Sequence, residues 1–120
     1  MVMYARDILR EVAFATRMLS KYTPEAAETF NKFMEATLET GTLPLKIKEL
    51  ILVGIGVAIR CEPCVILHIR KALEAGASPQ EIAEAIALAA LMGGGPVVAS
   101  SAKAFRALEE LTERRKRFSH

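Results

Sequence analysis

Prolines and glycines divide this 120-residue chain into segments of helical length. None of these segments alternates apolar and polar residues in the way that a half-buried strand requires. Six helices are therefore predicted, over roughly residues 4–19, 24–41, 44–60, 63–74, 79–92 and 96–115. Because the turns between them are short, they should pack as an all-α bundle, formed as a single domain over residues 1–120.

Two of the predicted helices begin with recognisable start signals. Ser78, Pro79 and Glu81 supply an N-cap, a first-turn proline and the acidic member of a capping box. Thr23 and Pro24 supply an N-cap and a first-turn proline for the second helix. The larger apolar residues of that second helix are expected to line its inner face: Phe30, Phe33, Met34 and Leu38.

The third segment, "PLKIKELILVGIGVAIR", is polar only near its start and then apolar on all sides, which predicts a helix at the centre of the fold. Its glycines, Gly54 and Gly56, are not preceded by a strand or followed by the third glycine of a dinucleotide site. They are expected to let a neighbouring helix approach closely. No cofactor is predicted.

Composition and charge narrow the classes of function. The 16 basic and 14 acidic residues are spread along the chain, so no nucleic-acid partner is indicated. The N-terminus lacks the pattern of a secretory signal, and the longest apolar run is far shorter than the roughly 20 residues that span a bilayer. A cytoplasmic protein is expected. Because 52% of the residues are hydrophobic, copies of the chain should cover part of one another's surface in a homo-oligomer.

The stretch "RCEPCVILH" contains both cysteines of the chain. On a helix, the offsets between Cys61, Cys64 and His68 place all three side chains on one face. Pro63 predicts that this stretch is the first turn of the helix, so that Cys64 lies beside unpaired backbone N–H groups. These groups and a nearby base would favour the thiolate, which is the reactive form of cysteine.

His68 is the only candidate base within one turn of Cys64. A carboxylate is needed to orient its imidazole ring and to hold its proton. Glu49 is the best candidate because a strongly apolar run follows it directly and should draw it into the core. Glu62 is closer in sequence but is expected to point to solvent.

The spacing of Glu49, Cys61, Cys64 and His68 resembles the signature of the alkylhydroperoxidase D family, within the carboxymuconolactone decarboxylase superfamily. The resemblance extends to the "MGGGP" break and to the all-helical arrangement. It implies that Cys64 attacks a peroxide, that Cys61 resolves the product as a disulfide, and that His68 and Glu49 relay protons. It also implies a homo-oligomer based on trimers, with hexamers common among short members.

The resemblance implies a small hydroperoxide or disulfide as substrate and a thiol as electron donor, which the sequence does not identify. The chain departs from the best-known peroxidases of the family at Pro63, where they carry a histidine that serves as an additional proton carrier.

Three other readings of the cysteines stay open at this stage. Cys61 and Cys64 are small enough to be simple buried core residues. With His68 and Glu49 they could instead bind zinc, although structural zinc usually takes ligands from two separate segments. The chain could also be a non-catalytic oligomer in which the redox site is idle. No metal is predicted.

Overall fold

The computed structural model describes residues 3–39 and 41–118. Across these residues the chain forms six helices and no strand, which confirms the all-α prediction. The helices are α1 (Tyr4–Tyr22), α2 (Pro24–Leu38), α3 (Leu45–Ala58), α4 (Glu62–Glu74), α5 (Pro79–Gly93) and α6 (Gly95–Phe118). Within the described residues, no helix is both long and apolar enough to cross a membrane.

The predicted helix starts are confirmed in position, but only one of them is capped as expected. In α5 the Glu81 N–H donates to Ser78 Oγ at 3.1 Å, and the Ser78 N–H donates to Glu81 Oε1 at 2.9 Å, which completes the capping box. Thr23 stands at the N-cap of α2 without capping it. Its hydroxyl instead donates to the Leu19 carbonyl at 2.8 Å, because α1 continues to Tyr22 and offers a closer acceptor.

The core lies between α3, α4, α5 and α6, with α1 packed across α4 and α6. Branched aliphatic side chains and alanines fill it. The largest apolar side chains that are fully buried are Val53, Ile66, Ile69, Ile82 and Ile86. Burying such a side chain stabilises the fold by about 1.5–3 kcal/mol.

The glycines of α3 allow close packing, as predicted. A Cβ atom added at Gly56 would lie 3.1 Å from Val65 Cγ2 and 3.3 Å from Val65 N. A Cβ atom at Gly54 would lie 3.4 Å from the Ala85 carbonyl oxygen of α5. Gly56 therefore sets how closely α3 approaches the first turns of α4.

The prediction that α2 turns its large apolar residues inward is wrong for the single chain. No residue of α2 is buried, and Phe30 and Phe33 are 62% and 65% exposed. Met34 and Leu38 are only partly buried. The reason is that α2 packs chiefly against α1 and no other helix covers its far side.

A second exposed apolar surface lies where α3 and α5 run side by side. Ile51 and Ile55 on α3 are about half exposed, and Leu88, Leu91 and Met92 on α5 are more exposed still. So much apolar surface is unusual on a monomer and is typical of an interface.

Candidate active site

The turn between α3 and α4 positions the cysteines. The Arg60 N–H donates to the Val57 carbonyl at 3.1 Å, and the Cys61 N–H donates to the Gly56 carbonyl at 3.0 Å. This pair of bonds is a Schellman motif, in which the residue after the helix takes the left-handed conformation. Here that residue is Arg60, with φ of 59°. For a residue with a side chain, the conformation costs about 1–2 kcal/mol.

Cys61 and Cys64 are joined by a disulfide at the start of α4. Cys61 is the N-cap residue, Pro63 lies in the first turn as predicted, and Cys64 is the third helical residue. The two Cα atoms are 5.3 Å apart, and both side chains are partly buried. The pair therefore lies at the N-terminal end of a helix, where the unpaired N–H groups favour a thiolate once the bond is reduced.

The structure brings His68 and Glu49 together, one turn beyond the disulfide. His68 Nδ1 lies 2.7 Å from Glu49 Oε1. The Glu49 side chain is 2% exposed, and that of His68 is 18% exposed. An ionised carboxylate only accepts hydrogen bonds, so with Glu49 ionised Nδ1 carries the hydrogen. Nε2 is then the nitrogen that can take up a proton.

Glu49 also borders a cavity of about 610 Å³ between α2, α3 and α4. Its other charged lining residues are Glu35, Glu39, Lys71 and Glu74. The Glu49 carboxylate is thus shielded from bulk solvent, but it adjoins a cavity that is lined by charged residues. This cavity offers a path by which a proton could reach solvent.

Glu62 does not simply point to solvent, as the sequence led us to expect. Its side chain is 26% exposed, and Oε2 accepts from Lys103 Nζ at 2.9 Å. The hydrogen bond from Lys103 is the main reason that the pKa of Glu62 is lowered. Burial, and to a lesser extent the neighbouring Glu62, raise the pKa of Tyr4 to about 12. Glu62, one of the two residues between the cysteines, therefore contacts α6.

Sequence reasoning missed the cationic residues around this contact, Arg60, Lys103 and Arg106. Lys103 and Arg106 belong to α6, and nothing in their local sequence indicates that they approach the cysteine turn. Arg60 did leave a signal. It is the last residue of the third predicted helix, at the short break before the fourth, where a left-handed residue is usually glycine.

Across residues 3–39 and 41–118, no group of three or more His, Cys, Asp and Glu side chains is arranged to hold a metal ion. In the observed state the two sulfurs are bonded to each other.

Comparison with known proteins identifies the family. The sequence model of the carboxymuconolactone decarboxylase family matches residues 24–109. An uncharacterised protein of Cupriavidus necator is 36% identical over 93 residues, which cover 78% of this chain and 82% of that protein. Uncharacterised protein 4 of the cox locus of Paracoccus denitrificans is 31% identical over 84 residues, 70% of this chain and 76% of that protein.

Solved structures are similar over nearly the whole chain. A carboxymuconolactone decarboxylase family protein from Legionella pneumophila, crystallised in its apo form, has a TM-score of 0.87 and 29% identity. The similarity covers 92% of this chain and 98% of that one. A Thermotoga maritima member, for which a role in the antioxidative response has been suggested, has a TM-score of 0.82 and 28% identity, covering 93% and 96%.

The chain belongs to the carboxymuconolactone decarboxylase family. The match confirms the resemblance that the spacing of the cysteines, His68 and Glu49 indicated. The helical structures of the similar proteins also agree with the six-helix architecture.

Proposed function

We propose that this protein is a thiol-dependent oxidoreductase that reduces small hydroperoxides, or small disulfides, by cycling Cys61 and Cys64 between dithiol and disulfide. One observation carries the proposal: the disulfide occupies the start of α4, and the buried His68–Glu49 pair lies one turn along the same helix. Reactive thiols need an electropositive setting and a base, and this arrangement supplies both.

In the first step Cys64 acts as the nucleophile. Its thiolate attacks the terminal oxygen of a hydroperoxide, the O–O bond breaks, and an S–OH group forms on Cys64. The organic oxygen leaves as an alcohol after it takes up a proton. Cys61 then attacks the Cys64 sulfur, a disulfide forms, and the hydroxyl group departs as water with the Cys61 proton. The two sulfurs thereby give up two electrons to the peroxide.

His68 and Glu49 move the proton that this sequence requires. Nε2 of His68 takes the proton of the Cys64 thiol and returns it to the departing alkoxide. Glu49 holds the imidazole through Nδ1 and stabilises its positive charge while the proton is carried. Because Glu49 is almost fully buried, its carboxylate interacts with the ring more strongly than an exposed one would.

Reduction of the disulfide completes the cycle and requires an external thiol. A dithiol donor supplies two electrons and two protons, and it leaves as its own disulfide. The cytoplasm, where such donors keep thiols reduced, is the compartment that suits this cycle. The role suggested for the Thermotoga maritima relative is in keeping with a peroxide substrate.

We also propose that the protein works as a homo-oligomer built on trimers, with a hexamer as the expected form. The exposed apolar side chains of α2 and of the α3–α5 face support this part of the proposal.

A peroxide-reduction assay with several small dithiols as donors tests the proposed function. Wild-type protein should consume peroxide, Cys64→Ser should consume none, and Cys61→Ser should accumulate sulfenic acid on Cys64 that a dimedone probe traps. Peroxide or disulfide turnover that is equal in wild type and Cys64→Ser would refute the proposal.

Mass spectrometry distinguishes the proposal from a zinc site. Peroxide treatment of reduced protein should give a Cys61–Cys64 disulfide without release of metal. One tightly bound zinc ion per chain in untagged protein would favour the metal-binding alternative.

A further inference from the structure

A cavity that Glu49 does not line has no role in the cycle described above. It has a volume of about 550 Å³ and lies between the first turns of α4 and the first half of α6. This volume is within the range of pockets that hold small organic molecules. Arg60 and Glu62, the two residues that flank Cys61, both line it.

The charged side chains of this cavity are mostly positive. Arg60, Lys103 and Arg106 line it, together with a single carboxylate, that of Glu62. Glu62 is already paired with Lys103 at 2.9 Å. Arg60 and Arg106, both exposed residues of this lining, therefore have no unpaired carboxylate among the lining residues to balance their charge. Such an arrangement favours an anionic ligand.

Apart from Ser100, the remaining lining is apolar. Pro96, Ala99 and Ala102 are exposed and provide a surface on which a hydrocarbon body can pack. A cavity that combines such a surface with guanidinium groups suits an organic anion better than it suits inorganic phosphate or a fully apolar molecule.

The left-handed backbone conformation of Arg60 indicates that the turn does not require an arginine side chain. The turn needs a left-handed residue, and glycine would adopt that conformation without strain. Arginine is one of the residue types for which the conformation is unfavourable. Since Arg60 lines the cavity, we assign the contribution of its side chain to the cavity and not to the turn.

We propose that the cavity between α4 and α6 binds organic carboxylates through Arg60, with Arg106 as the second cation, and so selects carboxylate-bearing substrates for the neighbouring dithiol. Only the selection of substrates for the dithiol rests on the proposed function; the binding of carboxylates does not. The carboxylate is held by the planar guanidinium of Arg60, and the apolar body of the ligand lies along the exposed Pro96 and Ala99.

Titration of the oxidised protein with octanoate tests the binding site without any turnover. Octanoate should bind, and octanamide, which has the same shape and no charge, should bind roughly tenfold more weakly or not at all. Equal affinities for the two ligands, or no binding of octanoate, would overturn the proposal.

The substitution Arg60→Gly is the matching variant, because it removes the guanidinium and leaves the turn with the residue it prefers. It should weaken octanoate binding by roughly tenfold or more while the protein keeps its thermal unfolding temperature. The control Arg10→Ala removes an exposed arginine of α1 that does not line the cavity, and it should bind as wild type does. Unchanged binding in Arg60→Gly would refute the assignment.

A pair of hydroperoxides then separates this inference from the proposed function. An aryl hydroperoxide that carries a carboxylate should have a lower KM than its methyl ester, and Arg60→Gly should remove that difference. Reduction of both compounds with equal KM would support the peroxidase activity and refute the selection of carboxylates. Octanoate binding that depends on Arg60, in a protein that reduces neither compound, would support the binding site and refute the proposed reduction of hydroperoxides.

Discussion

Glu49 and His68 are 19 residues apart in sequence, yet their side chains meet at 2.7 Å across the α3–α4 interface. A carboxylate that is only 2% exposed would be costly to bury without such a partner. The contact therefore has two consequences, one for stability and one for the chemistry of the thiol, and they can be measured separately.

The first prediction concerns stability. His68→Ala leaves Glu49 buried without this partner, so it should lower the free energy of unfolding by about 3–5 kcal/mol. The double variant Glu49→Ala/His68→Ala should lose much less than the sum of the two single losses. Urea unfolding of the four proteins measures the coupling. Losses that simply add would mean that the two side chains do not depend on each other.

The second prediction concerns the thiol. In reduced protein, His68→Ala should slow the alkylation of Cys64 by iodoacetamide near neutral pH, because the base that takes its proton is gone. The Cys61→Ser background isolates the signal of Cys64. Alkylation rates that follow the same pH profile with and without the histidine would remove His68 from the mechanism.

The third prediction concerns the strained turn. Arg60→Gly should leave the free energy of unfolding unchanged or raise it by up to about 1 kcal/mol, because relief of the left-handed strain outweighs or offsets the greater freedom of glycine in the unfolded chain. Chemical denaturation gives this value. A loss of stability would show that the arginine side chain itself holds the turn.

The fourth prediction concerns the packing of α3 against α4. Gly56→Ala places a Cβ atom against the backbone and side chain of Val65, so we expect a loss of about 1–3 kcal/mol in stability and slower disulfide formation. Gly54→Ala is the control. Its Cβ atom would reach only an ordinary contact with α5, so the better helix propensity of alanine should make the change neutral or stabilising. Similar losses in both variants would contradict this account.

The fifth prediction concerns pH. The pKa of Glu62 is lowered from 4.5, mainly by its hydrogen bond with Lys103, so its stabilising effect is present above the ordinary pKa and is lost as pH falls through the lowered value. At pH 7 the free energy of unfolding of the wild type should exceed that of Glu62→Gln by about 0.5–1 kcal/mol, and the difference should shrink as the pH falls below 4.5. Thermal unfolding of both proteins at a series of pH values measures this difference in stability. A difference that does not change with pH would contradict the pairing of Glu62 with Lys103.

The amino-acid sequence by itself determined the helices, the capping box at Ser78 and Glu81, and the placement of Cys61 and Cys64 in one helical turn. These features depend on hydrophobic period, caps and offsets that act within a turn or two of the chain. The spacing of Glu49 and His68 in the sequence already indicated a common role. How deeply Glu49 is buried, and its hydrogen bond with His68, depend on the packing of α3 against α4.

Only the tertiary structure decided the exposure of Phe30 and Phe33 and the cationic cavity beside Cys61. The apolar face of α2 looks the same in sequence whether a helix of its own chain or another molecule covers it. Lys103 and Arg106 reach the cysteine turn because α6 folds back over α4. The residues next to them in the sequence do not indicate that contact. Local patterns fix elements, whereas contacts between distant elements follow from how the whole chain packs.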